Sequence, residues 1–433
     1  MSQPSAQDHV IVIFGANGDL SRRKLLPALY HLYIEGLMPE RFRVIGTSRS
    51  EVSTEEFREM ARSAVDEFSQ VGKGWDDFAL NLSYASTKFK AGNTEVIVDA
   101  VNAAEKDMGG EPVRLFYLSV PPATFGDLTE GLAEAGLNTR AKVVFEKPFG
   151  SDLASFKHLD ATVKEALDDE QVYRIDHFLG KEPVQNIMAL RFANGMFEPV
   201  WNREHIDHIQ IDVPESGGIE TRAGFYEDTG ALRDMVVTHL FQLLSIVAME
   251  PPSSFSSKAL IDEKVKIFDS MPDIVPERVV RGQYKGYRDE DGVAKDSETE
   301  TFVAMEAAVD NWRWEGVPFF LRTGKRMAER RSAITLAFRH PPKMLFPDVA
   351  WRRFHHDHLT LDLGPEEGIT LTFLAKKPGP TMQLTPAHMH FDYDRDLSSG
   401  LIGAYERLIL DVLLGERQLF TRADGIERTW EMI

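Results

Sequence analysis

Cysteine is absent from the 433 residues. Its absence excludes disulfides, thiolate metal sites and a cysteine nucleophile. Positive charge is in deficit: 49 Lys and Arg stand against 68 Asp and Glu, giving a net charge of −19 and a pI near 5.2. That balance argues against nucleic acid as a partner. It leaves room for a small anion, because a local cationic pocket overrides the global field. No apolar run approaches the ~18 residues of a membrane span, and "MSQPSAQD" lacks the apolar core of a signal peptide. No membrane partner and a cytoplasmic location are the resulting expectations. Internal repeats are lacking too.

What is present is a globular composition, 43% hydrophobic with a mean hydropathy of −0.26. At about 150 residues per domain, the length suggests two or three domains. "HVIVIFG" (9–15) is a β-branched run ending in glycine, the mark of a buried parallel strand. "RRKLLPALYHLYIEGL" follows with helical spacing; Leu25, Leu29, Leu32 and Tyr33 share a face. "FRVIGTSRS", "VRLFYLSVPP" and "KVVFEKPFG" read as further strands, with helices near 54–70, 94–106 and 124–136 between them. Alternation of this kind implies parallel βαβ units. The rhythm changes near residue 175. "IDHIQIDVP", "ITLAFRH", "LTLDLG" and "ITLTFLAKKP" alternate apolar and polar residues, as an antiparallel sheet with one covered face does. "GALRDMVVTHLFQLLSIVAM" reads as an amphipathic helix, and "YRDEDGVAKDSETE" (287–300) as a solvated loop.

"GANGDLSRRK" follows the first strand and opens a helix. Gly15 and Gly18 would let the backbone approach a pyrophosphate seated on the helix N-terminus. An NAD-selective site places an acid at the end of the second strand to hold the ribose 2′-hydroxyl. Here stand Thr47, Ser48, Arg49 and Ser50. Arg49 suits a 2′-phosphate, so NADP is favoured and NAD disfavoured. Lys147 in "FEKPFG" ends a strand and points toward the ligand crevice of an open α/β sheet. A plain tight turn, a surface arginine and a solvated turn lysine are the bland alternatives at these positions.

Hydride removal from an alcohol needs a base, and histidine suits neutral pH. His239 lies on the inward face of its helix, beside Met235, Val236, Gln242 and Leu243. A satisfied core histidine is the alternative there. A base needs an orienting carboxylate, and "YRIDHFLGKEP" supplies Asp176. In the same stretch Pro183 fits the first turn of a helix. Its N-terminus, with His177 and Lys181, favours a phosphate. The cluster "FHHDH" (354–358) reads as surface, and no metal site is expected.

With "FFLRTGKRM" and "AYERLILDVLLGERQLFTRAD", these segments resemble the glucose-6-phosphate dehydrogenase family, in family order from about residue 10 onward. "RIDH-x-LGKE" is the most specific of them. The resemblance implies an NADP-binding Rossmann domain over 1–175. An α+β domain over 176–433 would follow, with a large, mostly antiparallel sheet for substrate binding and dimerisation. It implies NADP-linked oxidation of glucose 6-phosphate at C1 to the 6-phosphoglucono-lactone, the entry to the oxidative pentose phosphate pathway, by a homodimer or homotetramer. Carried over by position, His239 is the base, Asp176 its partner, and Lys147 reaches substrate and nicotinamide. His177 and Lys181 hold the phosphate; Glu215, Asp234 and Lys325 meet the sugar; Arg330 falls where a second cation is common. Gly15, Gly18, Asp19, Leu20, Lys24 and Arg49 match cofactor positions.

Four departures stand out. Phe178 replaces a tyrosine, which removes a hydroxyl donor and about tenfold in affinity. Val237–His239 replaces "QNH", and Gly364 replaces a glutamine that touches the sugar. The family continues for several dozen residues beyond "RTWEMI", so a second, structural NADP site is expected to be incomplete. Two other readings therefore remain: the same chemistry on another sugar phosphate or sugar, and a non-catalytic NADP-binding paralogue.

Overall fold

A computed structural model describes residues 6–69, 71–220, 222–343, 345–346, 357–396 and 402–433. The described chain falls into two compact units. The first takes its residues from 1–180, 254–261 and 402–427; the second takes them from 181–253, 262–401 and 428–433.

In the first unit, six strands run parallel: β1 (His9–Phe14), β2 (Phe42–Ser48), β3 (Leu82–Ser86), β4 (Val113–Leu118), β5 (Ala141–Phe145) and β6 (Val172–Ile175). Their order is β6-β5-β4-β1-β2-β3. A two-residue strand, Phe420–Thr421, pairs antiparallel with the outer side of β6. Every residue of β1 is buried, as a strand covered on both faces requires. The crossovers are α1 (Leu26–Ile34), α2 (Thr54–Phe68), α3 (Trp75–Leu80), α4 (Glu95–Met108), α5 (Phe125–Glu134) and α6 (Leu153–Ala166). The α2 helix starts on a capping box. Its Glu56 amide donates to the Ser53 hydroxyl, and the Ser53 amide donates to the Glu56 carboxylate. The chain's direction of travel across the sheet reverses between β1 and β4. That switch point opens a crevice at the carboxyl ends of the strands.

The second unit carries an eight-stranded sheet of β7 (Ile206–Pro214), β8 (Val279–Gly282), β9 (Phe302–Ala307), β10 (Phe319–Gly324), β11 (Ser332–Phe338), β12 (His358–Gly364), β13 (Glu367–Lys376) and β14 (Leu384–Asp392). The order is β14-β13-β12-β11-β7-β10-β9-β8. All neighbours are antiparallel except β7 and β10. Along β7, Ile209, Ile211 and Val213 are buried and Gln210 is exposed, so one face is covered.

Helix α7 (Glu182–Phe192) lies against β12. After α8 (Ala223–Ala231), a π-helical segment, Leu232–Leu240, lies against β10 and runs into α9 (Phe241–Ala248). The sequence spacing predicts an amphipathic helix here, and the structure corrects this. All of α9 is buried, as are Asp234, Met235, Val236, Val237, His239 and Leu240. The helix is a core element, long and apolar enough to resemble a membrane span but enclosed by protein. Its last carbonyls lack intrahelical donors, and three buried side chains supply them. Arg191 donates to Ile246, Val247 and Met249 at 3.2, 3.0 and 2.8 Å. The indoles of Trp201 and Trp314 donate to Val247 and Ala248 at 2.8 Å.

The 287–300 stretch is a loop, but it is anchored as well as solvated. Tyr287 and Ser297 donate to the Glu227 carboxylate at 2.5 and 2.7 Å. Of the "FHHDH" cluster, 354–356 lie outside the described residues, and His358 opens β12.

Candidate active site

The cofactor end of the first unit is a cavity of about 350 Å³ at the carboxyl ends of β1, β2, β3 and β4. Its lining includes Phe14, Gly15, Gly18, Ser48, Arg49 and Ser119. The loop after β1 is pinned to β2: the amides of Gly15 and Ala16 both donate to the Thr47 carbonyl, at 2.9 and 3.1 Å. Gly15 has φ +77°, and a Cβ on it would lie 2.0 Å from the Ser119 carbonyl oxygen. Only glycine fits that turn, and the helix that follows presents first-turn amides without intrahelical acceptors. A cradle of this shape fits a dinucleotide pyrophosphate. Arg49 is exposed on the rim, and no acid occupies the end of β2. Asp19, Leu20 and Lys24 lie further along the opening helical segment and do not line the cavity; Asp19 pairs with Arg23 at 3.9 Å.

Lys147 follows β5, half-buried, in the turn predicted from "FEKPFG". Beside it is a feature the sequence did not disclose. Glu146 is buried and accepts a 2.6 Å hydrogen bond from Tyr117 on β4. Burial raises its pKa to about 7, against the Tyr117 bond and Lys147, which lower it; Asp176 adds a smaller upward push. Asp176 itself is buried at the end of β6, and its carboxylate accepts the Phe178 amide at 2.9 Å. This backbone donor fixes the carboxylate's orientation. The His177 ring stacks on Tyr405, 6.4 Å between centroids with 11° between planes.

In the second unit, Lys181 is the N-cap of α7, with Pro183 in the first turn, as the sequence predicts. Its ammonium donates to the Leu363 carbonyl at 3.0 Å. Burial lowers its pKa; Glu367 opposes this and Arg330 adds to it. Two cations and a helix N-terminus thus converge on one spot, the electrostatic form of an anion seat.

Glu215 and Lys325 are brought together by the one parallel strand pair. Pro214 of β7 is in register with Gly324 of β10, so the next residues emerge side by side. The Glu215 amide donates to the Gly324 carbonyl at 2.9 Å, and the two side chains form an ion pair. Lys325 also lies 5.8 Å from the Tyr226 ring centroid. Tyr226 is buried and its pKa is pushed up, chiefly by burial and further by Asp234 and Glu215. Glu215, Tyr226, Asp234 and Lys325 therefore form one polar cluster; Tyr226 was missed in sequence because an isolated tyrosine carries no motif.

Asp234 and His239 sit on the π-helical segment, 3% and 1% exposed. The i→i+5 bonding of a π-helix turns residues five apart onto one side. Asp234 and His239 are five apart, whereas ordinary helical spacing groups His239 with Met235 and Val236. The departure from α geometry thus brings these two buried polar residues nearer to a common side than α spacing would.

A dinucleotide crevice, a buried histidine and carboxylate on one helix, and a cationic helix N-terminus describe a nucleotide-linked oxidoreductase of an anionic hydroxyl compound. The comparisons narrow this further. Residues 12–186 match the family domain described as "Glucose-6-phosphate dehydrogenase, NAD binding domain", and residues 188–433 match "Glucose-6-phosphate dehydrogenase, C-terminal domain". The glucose-6-phosphate 1-dehydrogenase of Rhizobium meliloti (strain 1021) is 44% identical over 444 aligned positions, covering 98% of this chain and 89% of the relative. That of Chlamydia pneumoniae is 41% identical, covering 98% and 88%. A solved glucose-6-phosphate dehydrogenase in complex with its substrate glucose-6-phosphate superimposes with a TM-score of 0.91 at 33% identity, covering 100% of this chain and 91% of that one. The chain belongs to the glucose-6-phosphate dehydrogenase family, oxidoreductases that act on a CH–OH group.

Proposed function

We propose that the chain oxidises the C1 hydroxyl of glucose 6-phosphate to 6-phosphoglucono-1,5-lactone with NADP as acceptor. Residues 1–175 hold the nucleotide and 176–433 the sugar phosphate. His239 takes the C1 hydroxyl proton as the C–H hydride leaves, and Asp176 orients the imidazole and stabilises its cation. The dinucleotide, when bound, supplies the hydride acceptor. Lys147 reaches both ligands. Lys181, His177 and Arg330 hold the phosphate, while Glu215, Asp234 and Lys325 hold the sugar hydroxyls. Gly15 and Gly18 admit the pyrophosphate, with Asp19, Leu20 and Lys24 beyond it, and Arg49 pairs with the 2′-phosphate.

The observation that carries the substrate assignment is the anion seat at the N-terminus of α7. Lys181 caps that helix, and Arg330 is close enough to lower its pKa. A phosphate carries the negative charge that two cations and a helix N-terminus favour, and a free sugar does not. The test is absorbance at the NADPH band with glucose 6-phosphate, glucose, galactose 6-phosphate and glucosamine 6-phosphate, each with NADP and with NAD. Reduction with glucose 6-phosphate and NADP alone is expected. Reduction with another sugar instead would overturn the substrate assignment. NADPH binding without turnover of any sugar would make the chain a non-catalytic paralogue. The assembly proposed is a homodimer or homotetramer, which sedimentation of the purified chain tests, and the location proposed is the cytoplasm, which cell fractionation tests.

A further inference from the structure

The loop after β3 brings two cations to the cofactor cavity that no strand-end rule predicts. Thr87, Lys88, Phe89 and Lys90 all line the cavity that holds Arg49 on its rim. Residue alternation gives the loop two sides. Phe89 is 6% exposed and sits 5.2 Å from Phe14, centroid to centroid, while Lys88 and Lys90 on either side of it are exposed. The loop is held, not trailing. The Thr87 amide donates to the Ser48 carbonyl at 3.0 Å, which ties it to the end of β2. The Asn93 side chain donates to the Lys88 carbonyl at 2.7 Å, and the Asn93 amide to the Lys90 carbonyl at 2.9 Å. Among the described residues, none of Arg49, Lys88 and Lys90 forms an ion pair. Among the described residues, the only carboxylate in the lining is Asp127. In a chain of net charge −19, three cations gathered around one cavity need an anion to explain them.

We infer that Lys88 and Lys90 act with Arg49 as a three-cation clamp on the ribose 2′-phosphate, and so set the preference for NADP over NAD. This rests on the NADP reading given above. The geometry favours the 2′-phosphate over the pyrophosphate. The pyrophosphate belongs at the Gly15 turn, on the β1 loop, whereas the Thr87–Ser48 bond ties these lysines to the β2 end that carries Arg49. Arginine supplies a planar fork for two oxygens, and the lysines supply mobile point charges for the rest.

The test compares dissociation constants for NADP, NAD, 2′-AMP and 5′-AMP by calorimetry, in the wild type, R49Q, and the double variant K88Q/K90Q. Both lysines are exposed, so the double variant is expected to fold, and thermal melting checks this. The double variant should weaken NADP and 2′-AMP by at least about tenfold, as lost charge-assisted hydrogen bonds do. NAD and 5′-AMP should change by less than about twofold, and the salt dependence of NADP binding should become shallower. Equal weakening of NADP and NAD, or no change in either, would overturn the clamp. The underlying NADP reading fails separately: a wild type that binds NAD as tightly as NADP would end it before any variant is made. Selectivity lost in R49Q but kept in K88Q/K90Q would keep that reading and remove the lysines from it.

Discussion

The Lys181 ammonium donates to the Leu363 carbonyl, and so stands 3.6 Å from where a Cβ on Gly364 would lie. There is space for a side chain at residue 364, yet the backbone there has φ +141°, a region that side chains avoid. The glycine that departs from the family pattern is therefore matched to its own backbone. Gly364→Gln should cost about 1–3 kcal/mol of stability and leave the KM for glucose 6-phosphate no lower, as read by urea unfolding and steady-state kinetics. A stable variant with a lower KM would mean that the pocket merely lacks a contact.

His239→Asn removes the proposed base and puts a smaller polar amide in place of the imidazole on the same helix. Turnover should fall by at least about a hundredfold, with the dissociation constant for NADP unchanged. Near-native turnover would remove His239 from the mechanism.

Lys325→Ala leaves Glu215 without its ion-pair partner beside Tyr226 and Asp234. The KM for the sugar phosphate should rise by roughly tenfold or more, while NADP binding holds. The double variant Glu215→Gln/Lys325→Met should recover stability relative to Lys325→Ala without recovering catalysis, because it removes both charges together. Catalysis restored along with stability would mean that the pair serves packing alone.

Glu146 gives a pH dependence with a definite sign. Its folded pKa, about 7, lies above the ordinary 4.5. Between those values the folded state holds a proton that the unfolded state has lost, so stability falls as pH rises through the window. The displacement corresponds to about 3 kcal/mol at most. Glu146→Gln should escape this fall, and its stability should gain on the wild type's between pH 4.5 and 8 in paired thermal melts. Tyr117→Phe should move the window upward, because the tyrosine bond holds the pKa down. Parallel pH profiles in wild type and Glu146→Gln would show that this carboxyl does not titrate in that range.

The Rossmann-type unit is legible where the apolar runs are long; the four-residue β6, though buried throughout, carries too short a pattern to read as a strand. β1, β2, β4 and β5 are apolar runs, and each was read from sequence. β3, "LSYAS", was not, because its residues are small, polar and half-buried. That miss hid the loop carrying Lys88 and Lys90. Residues tied to strand ends or helix starts, such as Gly15, Arg49, Lys147 and Lys181, fall where local rules put them. Glu215 and Lys325 are more than a hundred residues apart, and their meeting depends on a strand register that no local pattern encodes. The π-helical segment was read as regular helix because periodicity cannot distinguish a widened turn. Apolar residues on every face then removed the stripe that an amphipathic reading needs.

The two-residue strand Phe420–Thr421 covers the outer edge of β6, and the helix Ala404–Leu414 receives its C-terminal cap from Lys142, whose ammonium donates to Val412 and Leu413 at 2.6 and 3.0 Å. A ribosome that has made the first 180 residues has therefore not made a finished nucleotide-binding unit. The edge of β6 stays open for pairing with other chains until more than two hundred further residues have been added. A nascent chain is most exposed to misassembly in that interval, so the unit translated first is among the last to close.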